Sequence, residues 1–388
     1  MPFTHYLRLA WLSCLLWGAN LPIIAQPADS ISQVTLLFAG DIMGHDRQIE
    51  AAKRSGQEEY DYIPSLRYIS PLLEQADLAV ANLEVTLPGI GPYRGWPMFR
   101  SPDALAEALR QSGFDLLLTS NNHSNDAGKQ GVIHTIEVLR KHHFYQTGTF
   151  NNQKERELFY PLLVYKNGLK LAFLNYTFST NKHRTVPPTL VNRIDTSLIH
   201  QDMIEAQKLQ PDAIIVAMHW GKEYRLQESR RQRRLTQKLF DWGADLIIGS
   251  HPHVVQPIRE KKIAAPDGTL RKGLVVYSLG NFISDQKKVN TDGGIVVEVE
   301  LVKNHRSGQT SLVDYHYIPV WRCVHEEKGG KVNFFTLPVS AIENDKEYFP
   351  EMSKENREKM DDFATFIRQH LSTTKERKLN ISQFEVKY

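Results

Sequence analysis

Five short polar motifs, each directly after an apolar run typical of a buried strand, carry side chains that bind transition metals. In chain order the motifs are LLFAGDIMGH, LAVANLE, LLLTSNNHSND, AIIVAMHWG and LIIGSHPH. Open α/β sheets place their sites in the loops at one edge, beyond the carboxyl ends of the strands. Carboxylate, amide and imidazole groups together are ligands for Zn, Mn or Fe. The motifs therefore predict a metal site at one sheet edge.

The chemistry that this donor set favours is hydrolysis at a pair of metal ions. Two divalent cations about 3.5–4 Å apart can hold both the attacking and the leaving oxygen of a displacement reaction. Such a pair needs a bridging carboxylate and neutral imidazoles, and the motifs supply both. Residues two apart in an extended segment point the same way, so we expect His251 and His253 to face one site. The predicted metal ligands are Asp41, Glu84, Asn122, His219, His251 and His253.

A catalytic pair is predicted in the third motif. His123 follows Asn122, and Asp126 lies three residues further on. A histidine beside the ions, oriented by a carboxylate, can stabilise an oxyanion or protonate a leaving group. His45, four residues after Asp41, is either a ligand or a donor that supports the ligands.

Polar residues near the motifs are candidates for substrate contacts. Arg94 lies in a loop rich in Pro, Gly and aromatic residues, Arg225 follows the HWG motif, and Asn281 lies in the segment SLGNF. Asn281 either fixes its loop or faces a substrate, and a simple turn with a buried Phe282 explains the segment equally well. The arginine-rich helix predicted at residues 230–242 either binds an anionic polymer or presents an ordinary solvated face.

Composition indicates a globular protein without a preference for nucleic acid. The chain has 388 residues, of which 41% are hydrophobic and 23% are charged. A net charge of +3, from 47 Lys and Arg against 44 Asp and Glu, is too balanced to indicate nucleic-acid binding.

The amino-terminal residues 1–25 have the composition of a signal peptide. Arg8 supplies a positive charge, and an apolar stretch follows it up to Ala25. We therefore expect an exported protein, periplasmic or at the cell surface. The alternative is an uncleaved membrane anchor, since the stretch is near the lower length limit for a span. Cleavage would remove Cys14 and leave Cys323 without an intrachain partner.

The order of predicted elements indicates a layered α/β fold. Strands and helices alternate early, and consecutive strands follow, which fits two facing sheets with helices outside. We predict helices at residues 60–76 and at 103–111, the second with Ser101 as N-cap, and a hairpin around Asn167-Gly168. One domain is expected at residues 33–325, with a C-terminal extension at 326–388 whose helix spans 353–371.

In this order and spacing the motifs resemble the CapA family of capsule synthesis proteins, whose domain is similar to the calcineurin-like metallophosphoesterases. The resemblance covers residues 34–285, through GDIMGH, NLE, NNHSNDAG, HWG, GSHPH and SLGNF. It implies a metallo-dependent phosphatase-like fold, a four-layer α/β/β/α sandwich, and two divalent ions. It also implies an anionic envelope polymer such as poly-γ-glutamate as partner, beside membrane synthesis machinery.

The resemblance assigns roles to single residues. It implies Asp41 as the first aspartate ligand, Glu84 as the bridging carboxylate and His123 as the catalytic histidine. Three departures from the phosphoesterase pattern accompany it: His45 lies four residues after Asp41 instead of two, Glu84 replaces an aspartate, and the carboxylate partner of His123 is Asp126 instead of the adjacent residue. The other ligands that it implies are Asn122, His219, His251 and His253.

Three functions are compatible with these features. The first is an exported metal-dependent hydrolase that cleaves a phosphoester or γ-glutamyl amide bond in an envelope polymer. The second is a non-catalytic component that binds or assembles the polyanion, with Arg225, Arg230 and Arg234 holding its carboxylates. The third is a structural envelope protein whose histidines are simply packed.

Overall fold

Sixteen strands are present in the part of the chain that the structure describes. The computed structural model describes residues 30–54, 59–264 and 268–379, so the predicted signal peptide at 1–25 and Cys14 lie outside the described residues. The strands are β1 (Ile31–Ile42), β2 (Leu78–Leu83), β3 (Leu116–Leu118), β4 (Tyr145–Thr147), β5 (Thr149–Phe150), β6 (Leu162–Lys166), β7 (Leu169–Thr177), β8 (Leu190–Val191), β9 (Ala213–His219), β10 (Leu246–Ser250), β11 (Val255–Ala264), β12 (Leu270–Leu279), β13 (Asn281–Ile283), β14 (Gly293–Asn304), β15 (Gln309–Glu326) and β16 (Val332–Pro338).

The helices alternate with the early strands and return after the last one. No helix among the described residues is both long and apolar enough to cross a bilayer. The helices are α1 (Asp46–Ala52), α2 (Ile63–Leu66), α3 (Ser70–Leu73), α4 (Ala104–Gln111), α5 (Gly128–Lys141), α6 (Gln153–Phe159), α7 (Thr196–Lys208), α8 (Arg230–Asp241), α9 (Val339–Asn344) and α10 (Lys354–His370), with a 3-10 turn at Lys346–Tyr348.

The strands form two large sheets. The first has the order β16-β15-β14-β1-β2-β3-β4, with β13 paired to the end of β1, and the second has the order β11-β12-β10-β9-β7-β6. In the first sheet β1 to β4 are parallel, whereas β14, β15 and β16 are antiparallel to their neighbours. In the second, β7, β9, β10 and β12 are parallel and the edge strands β6 and β11 are antiparallel.

Alternate residues of β9 show that the second sheet is buried on both faces. Successive side chains of a strand point to opposite faces. Ala213, Ile215 and Ala217 belong to the core that the two sheets share, which also contains Leu36 of β1. The intervening residues pack with helices α7 and α8 in a separate core, to which Met203 and Leu239 contribute.

Helices also cover the first sheet. Leu109 of α4 and Leu139 of α5 are fully buried in the core that includes this sheet. Contacts of α9 and α10 with β15 extend the cover. The layers are therefore α/β/β/α, and the predicted four-layer fold is confirmed.

The parallel strands bring the motifs to one edge of each sheet. Asp41 near the end of β1 is paired in register with Asn82 of β2, and His219 at the end of β9 is paired with Ser250 of β10. Because parallel strands end at the same edge, the loops after them meet there. The fold thus positions the candidate ligands at the ends of the parallel strands in both sheets.

Two local predictions fail for identifiable reasons. The helix expected at residues 60–76 is two single turns, α2 and α3, because Pro71 lacks the N–H that a continuous helix needs at that position. Helix α4 begins after Asp103, and Ser101 is buried before it instead of capping it.

The predicted hairpin is present: Asn167 and Gly168 adopt φ values of 47° and 79° between β6 and β7, as a two-residue turn with positive φ requires.

The C-terminal residues continue the first sheet and its core. Strand β16, which the sequence pattern did not predict, pairs with β15 from Val320 to Glu326. Phe334 of β16 and Met360 and Phe363 of α10 are buried in the same core as β1. The boundary expected at residue 325 therefore falls inside a continuous sheet.

We expect Cys323 to resist alkylation in the folded protein. Its side chain in β15 is fully buried, and burial raises the pKa of the thiol to about 12. Because the thiolate is the nucleophile, only roughly 10⁻⁴ of it is reactive at pH 8. Peptide mapping after iodoacetamide treatment should show Cys323 modified in guanidinium chloride and unmodified without it. Modification of the native protein at a comparable rate would contradict this burial.

Candidate metal centre

Two fully buried carboxylates lie at the bottom of the centre. Asp41 and Glu84 are both 0% exposed. The side chain of Asn82 donates from Nδ2 to Asp41 Oδ1 at 2.8 Å and to Glu84 Oε2 at 3.3 Å, which fixes both groups. Two buried anions are costly without a compensating cation. The pair is therefore a place where positive charge is needed.

The second sheet supplies imidazoles opposite these carboxylates. His219 Nε2 lies 3.6 Å from Glu84 Oε1 and 2.5 Å from Asn122 Oδ1. Ser250 Oγ lies 2.8 Å from His219 Nδ1. Donation from Nδ1 to Ser250 would leave the Nε2 lone pair facing the two oxygen atoms. That arrangement suits a cation held among the three atoms.

Three overlapping groups have the dimensions of metal sites. In each, one ligand atom from every member lies within 4.8 Å of the others. Within the described residues, the buried atoms Glu84 Oε1 and His251 Nδ1 have no hydrogen-bond partner. The donor set and these unsatisfied atoms fit divalent cations. The groups are Glu84 with His219 and His251, Asp41 with Glu84 and His253, and Glu223 with His251 and His253.

Burial favours the neutral form of His219 and His251 and disfavours the charged form of Glu84. Burial lowers the pKa of His219 and of His251 well below the usual value, and the neighbouring imidazoles lower both further. Burial raises the pKa of Glu84 well above its usual value, and the facing carboxylate of Asp41 raises it further. Neutral imidazole is the form that binds metals. The environment therefore disfavours a proton on the imidazoles and favours a cation near Glu84.

Asn281 orients His253. It is buried, and its Nδ2 donates to Thr291 O at 2.8 Å and to Gln286 Oε1 at 2.9 Å, so its Oδ1 must be the atom 3.1 Å from His253 Nδ1. Asp41 Oδ2 lies 3.2 Å from the same nitrogen. Both oxygens accept, so Nδ1 carries the hydrogen and Nε2 is left to bind. Asn281 fixes its loop and this ring instead of facing a substrate.

His251 and His253 reach the centre from a turn, not from a strand. Their φ values are 97° and 58°, whereas an extended segment was expected. Phe178 packs on the His251 ring at 4.4 Å between ring centres, and the backbone N–H of His251 donates to Asp41 Oδ2 at 3.3 Å. Both rings face the centre as predicted, although the strand alternation used to predict it is absent.

His123 and Asp126 form a buried pair beside the ligands. His123 Nδ1 lies 2.6 Å from Asp126 Oδ2, which also accepts the backbone N–H of Phe99 at 2.6 Å. The Phe99 ring packs edge-on against His123 with ring centres 4.6 Å apart. Thr86 Oγ1 donates to the backbone carbonyl of His123 at 2.7 Å. These contacts fix the ring, and among the described residues Nε2 has no hydrogen bond to the protein.

His45 supports a loop and belongs to none of the three metal-sized groups. The backbone N–H of Asp285 donates to its Nδ1 at 3.1 Å, and Gln48 Oε1 lies 3.0 Å from the same atom. Its ring packs against Phe99 at 4.9 Å. Burial lowers the pKa of His45 to about 4, so the ring is neutral at pH 7. Of the two roles expected for His45, this geometry matches the supporting one.

The arginines expected at the substrate are exposed, and within the described ranges no hydrogen bond or ion pair joins them to the predicted ligands. Arg94 donates to Met98 Sδ at 3.1 Å, and Arg225 offers its backbone carbonyl to Gln256. Glu223, two residues before Arg225, is the carboxylate that the sequence patterns missed. It lies in a loop rather than at a strand end, and only its spacing after His219 in HWGKE could have indicated it.

Fold and site together define a four-layer α/β protein with a carboxylate–imidazole centre where the ends of the parallel strands meet. The chain belongs to the family of bacterial capsule synthesis proteins PGA_cap, which it matches over residues 35–286. The resemblance to CapA proteins that the motifs indicated is thereby confirmed.

Two curated relatives carry the same family name. The chain is 28% identical over 294 residues to the capsule biosynthesis protein CapA of Bacillus anthracis, covering 73% of this chain and 66% of that protein. It is 28% identical over 315 residues to the PGA biosynthesis protein CapA of Bacillus subtilis strain 168, covering 78% and 76%. The chain thus spans just under two thirds of the length of the Bacillus anthracis relative.

A calcineurin-like phosphoesterase and a nucleotidase are among the solved structures that align with the chain. The calcineurin-like phosphoesterase YfkN from Bacillus subtilis aligns with 13% identity and a TM-score of 0.47, over 86% of this chain and 100% of that one. The NAD nucleotidase of Haemophilus influenzae aligns with 14% identity and a TM-score of 0.46, over 91% and 59%.

Proposed function

We propose that the protein is an exported metal-dependent hydrolase that acts on an anionic capsule polymer such as poly-γ-glutamate. One observation carries this proposal. Two buried carboxylates, three imidazoles and an amide oxygen lie close together, and two atoms of the set, Glu84 Oε1 and His251 Nδ1, have no hydrogen-bond partner among the described residues. Such a donor set suits two divalent ions of the Mn, Zn or Fe type.

The residues divide into those that hold ions and those that act on the substrate. Divalent ions bound here would activate water and stabilise negative charge on reacting oxygens. Glu84 would contribute to holding both ions, because it is the carboxylate that two of the metal-sized groups share. The ions would be held by Asp41, Glu84, Asn122, His219, His251 and His253, with Glu223 as a further carboxylate at the exposed side.

His123 is proposed to supply the proton for the leaving group. Asp126 and Phe99 hold its ring, so the proton transfer would occur at Nε2 with no rotation of the ring. Asp126 stabilises the imidazolium that carries the proton before transfer. The bond that is cleaved is a phosphoester or a γ-glutamyl amide, since both place charge on an oxygen near the ions and both need a protonated leaving group.

The names of the relatives and the composition of the amino-terminal residues support the proposed substrate and location. The relatives are named for capsule and PGA biosynthesis. Residues 1–25, with the composition of a signal peptide, would bring the chain there or anchor it beside the membrane synthesis machinery.

Metal content and turnover together test the proposal. We expect about two divalent ions per chain by elemental analysis, and fewer in Asp41→Ala and His251→Ala, because each removes a group that faces the centre. Both variants should also lose hydrolysis of γ-glutamyl oligomers or phosphodiesters. Arg231→Ala, an exposed change on α8, is the matched control and should keep both properties.

The outcomes separate the proposed enzyme from its alternative. Metal binding with no hydrolysis of either substrate class would favour the non-catalytic polymer-binding or assembly component. A protein that holds no stoichiometric metal, even after reconstitution with Mn or Zn, would overturn the metal centre and the hydrolase together.

A further inference from the structure

A cleft of about 730 Å³ lies beside the centre, between the loop after β13, strand β15 and helix α10. Residues after 286 form nearly all of its wall, and these lie outside the part of the chain that matches the family. Four cations line it on the side of the loop and of β15: Arg47, Lys287, Lys288 and Arg322. Two acids, Asp292 and Glu326, lie on the same side, which therefore carries more positive than negative groups.

Arg322 is a fixed positive charge in this wall. Its side chain in β15 is 8% exposed, and its Nη2 donates to Gln286 O at 3.2 Å. Its Nε has no hydrogen-bond partner among the described residues. The nearby acids are already engaged, because Asp285 pairs with Arg47 and Lys287, and Asp292 accepts the Trp321 indole N–H. Asp292 and Asp285 attract this buried guanidinium, but neither is hydrogen-bonded to it, and its unpaired Nε–H favours an anion in the cleft.

The lysines of the loop can turn towards a ligand. Lys287 and Lys288 are exposed, and Lys288 Nζ lies 3.6 Å from the centre of the Tyr224 ring. Acidic residues line the opposite wall, on α10, where Glu355 is paired with Lys359. The cations are therefore concentrated on the wall that adjoins the centre.

The cleft and the centre share this loop. Asn281 at its start orients His253, and the backbone N–H of Asp285 binds His45. On the other side, the Tyr224 ring that Lys288 covers lies 6.1 Å from the His253 ring. An extended ligand in the cleft would therefore be separated from the centre by this one loop.

We propose that this cleft binds carboxylates of an acidic polymer chain, with Arg322 as its fixed cation and Lys287 and Lys288 as adjustable ones. The inference rests on the proposed function for the identity of the polymer. It differs from the hypothesis that the arginines of α8 hold the polymer, because those arginines lie on a separate helix face.

Binding of a labelled γ-glutamyl decapeptide to the full chain tests the cleft. Fluorescence anisotropy is measured with EDTA, where no metal-dependent turnover occurs, and again with Mn. We expect Lys287→Gln with Lys288→Gln to weaken binding about tenfold, as the loss of two exposed ion pairs implies. The matched control is Arg230→Gln with Arg234→Gln, which removes the same charge from α8 and should change affinity less than twofold.

The outcomes of this binding measurement either establish or overturn the proposed carboxylate-binding cleft. Equal weakening in the two double variants, tighter binding of polyphosphate than of the decapeptide, or no binding by the unchanged chain would overturn the proposal. Weakening confined to the cleft variant, with unchanged metal content and melting temperature, would establish it. Because binding is read with EDTA, a protein that binds the decapeptide through the cleft but never cleaves it would refute only the hydrolase.

Discussion

Glu84→Gln should abolish metal binding while leaving the fold intact. Glutamine keeps the shape of the side chain but removes one of two buried carboxylates, the one that belongs to two of the metal-sized groups. We expect affinity for Mn or Zn to fall by more than the about 10–100-fold that loss of a supporting group causes. Isothermal titration calorimetry on chelator-treated protein measures this directly.

Thermal melting gives a second measure of the same change. Metal at about 100 times its Kd should stabilise the unchanged chain by about 2.7 kcal/mol and raise its melting temperature by several degrees. The Glu84→Gln chain should melt at one temperature with and without metal. Glu205→Gln, an exposed substitution on α7, is the control that should respond like the unchanged chain. A normal metal response in Glu84→Gln would remove Glu84 from the centre.

His123→Ala should retain its metal and lose turnover. His123 belongs to none of the metal-sized groups, and its ring is fixed by Asp126 and Phe99. Removal of a general acid lowers a rate by about 10²–10⁴. Single-turnover rates on the substrate identified for the unchanged chain should show this fall, with the Kd for the substrate nearly the same.

Another histidine–carboxylate pair provides the comparison. His134 Nε2 lies 2.8 Å from Asp103 Oδ2, and both side chains are about one third exposed. His134→Ala should leave the rate within about twofold, as expected for surface changes away from a site. Loss of metal from His123→Ala, or an equal loss of rate in His134→Ala, would contradict the role given to His123.

The sequence was sufficient to predict the layers and most of the centre. Apolar runs that end in Asp, Asn or His predict parallel strands. The carboxyl ends of parallel strands lie at the same edge of a sheet, and the conformation of the connecting loops does not change this. Asp41 and His219 are therefore placed by topology alone. The pairing of His123 with Asp126 was also predictable, since a spacing of three residues allows contact within one turn of chain.

Other parts of the centre depend on contacts that no local pattern records. His251 and His253 face the site through left-handed turns, so the correct result came from the wrong local geometry. Glu223 enters from a loop, and Asn281 acts through hydrogen bonds to the next loop. Strand β16 was missed because its short apolar run after a glycine-containing turn has no alternation that distinguishes it from a loop.

The central position of β1 limits how this protein can be divided. The family match ends at residue 286, yet β1, which carries Asp41, is paired on one side with β14, a strand that begins at Gly293. A fragment cut at the end of the match would expose one edge of β1 and the apolar face that α10 covers. Such an edge invites pairing with other chains. The segment by which the family is identified is thus shorter than the fragment that we expect to fold on its own. Exchange of domains between relatives would therefore need to include all residues up to the end of α10.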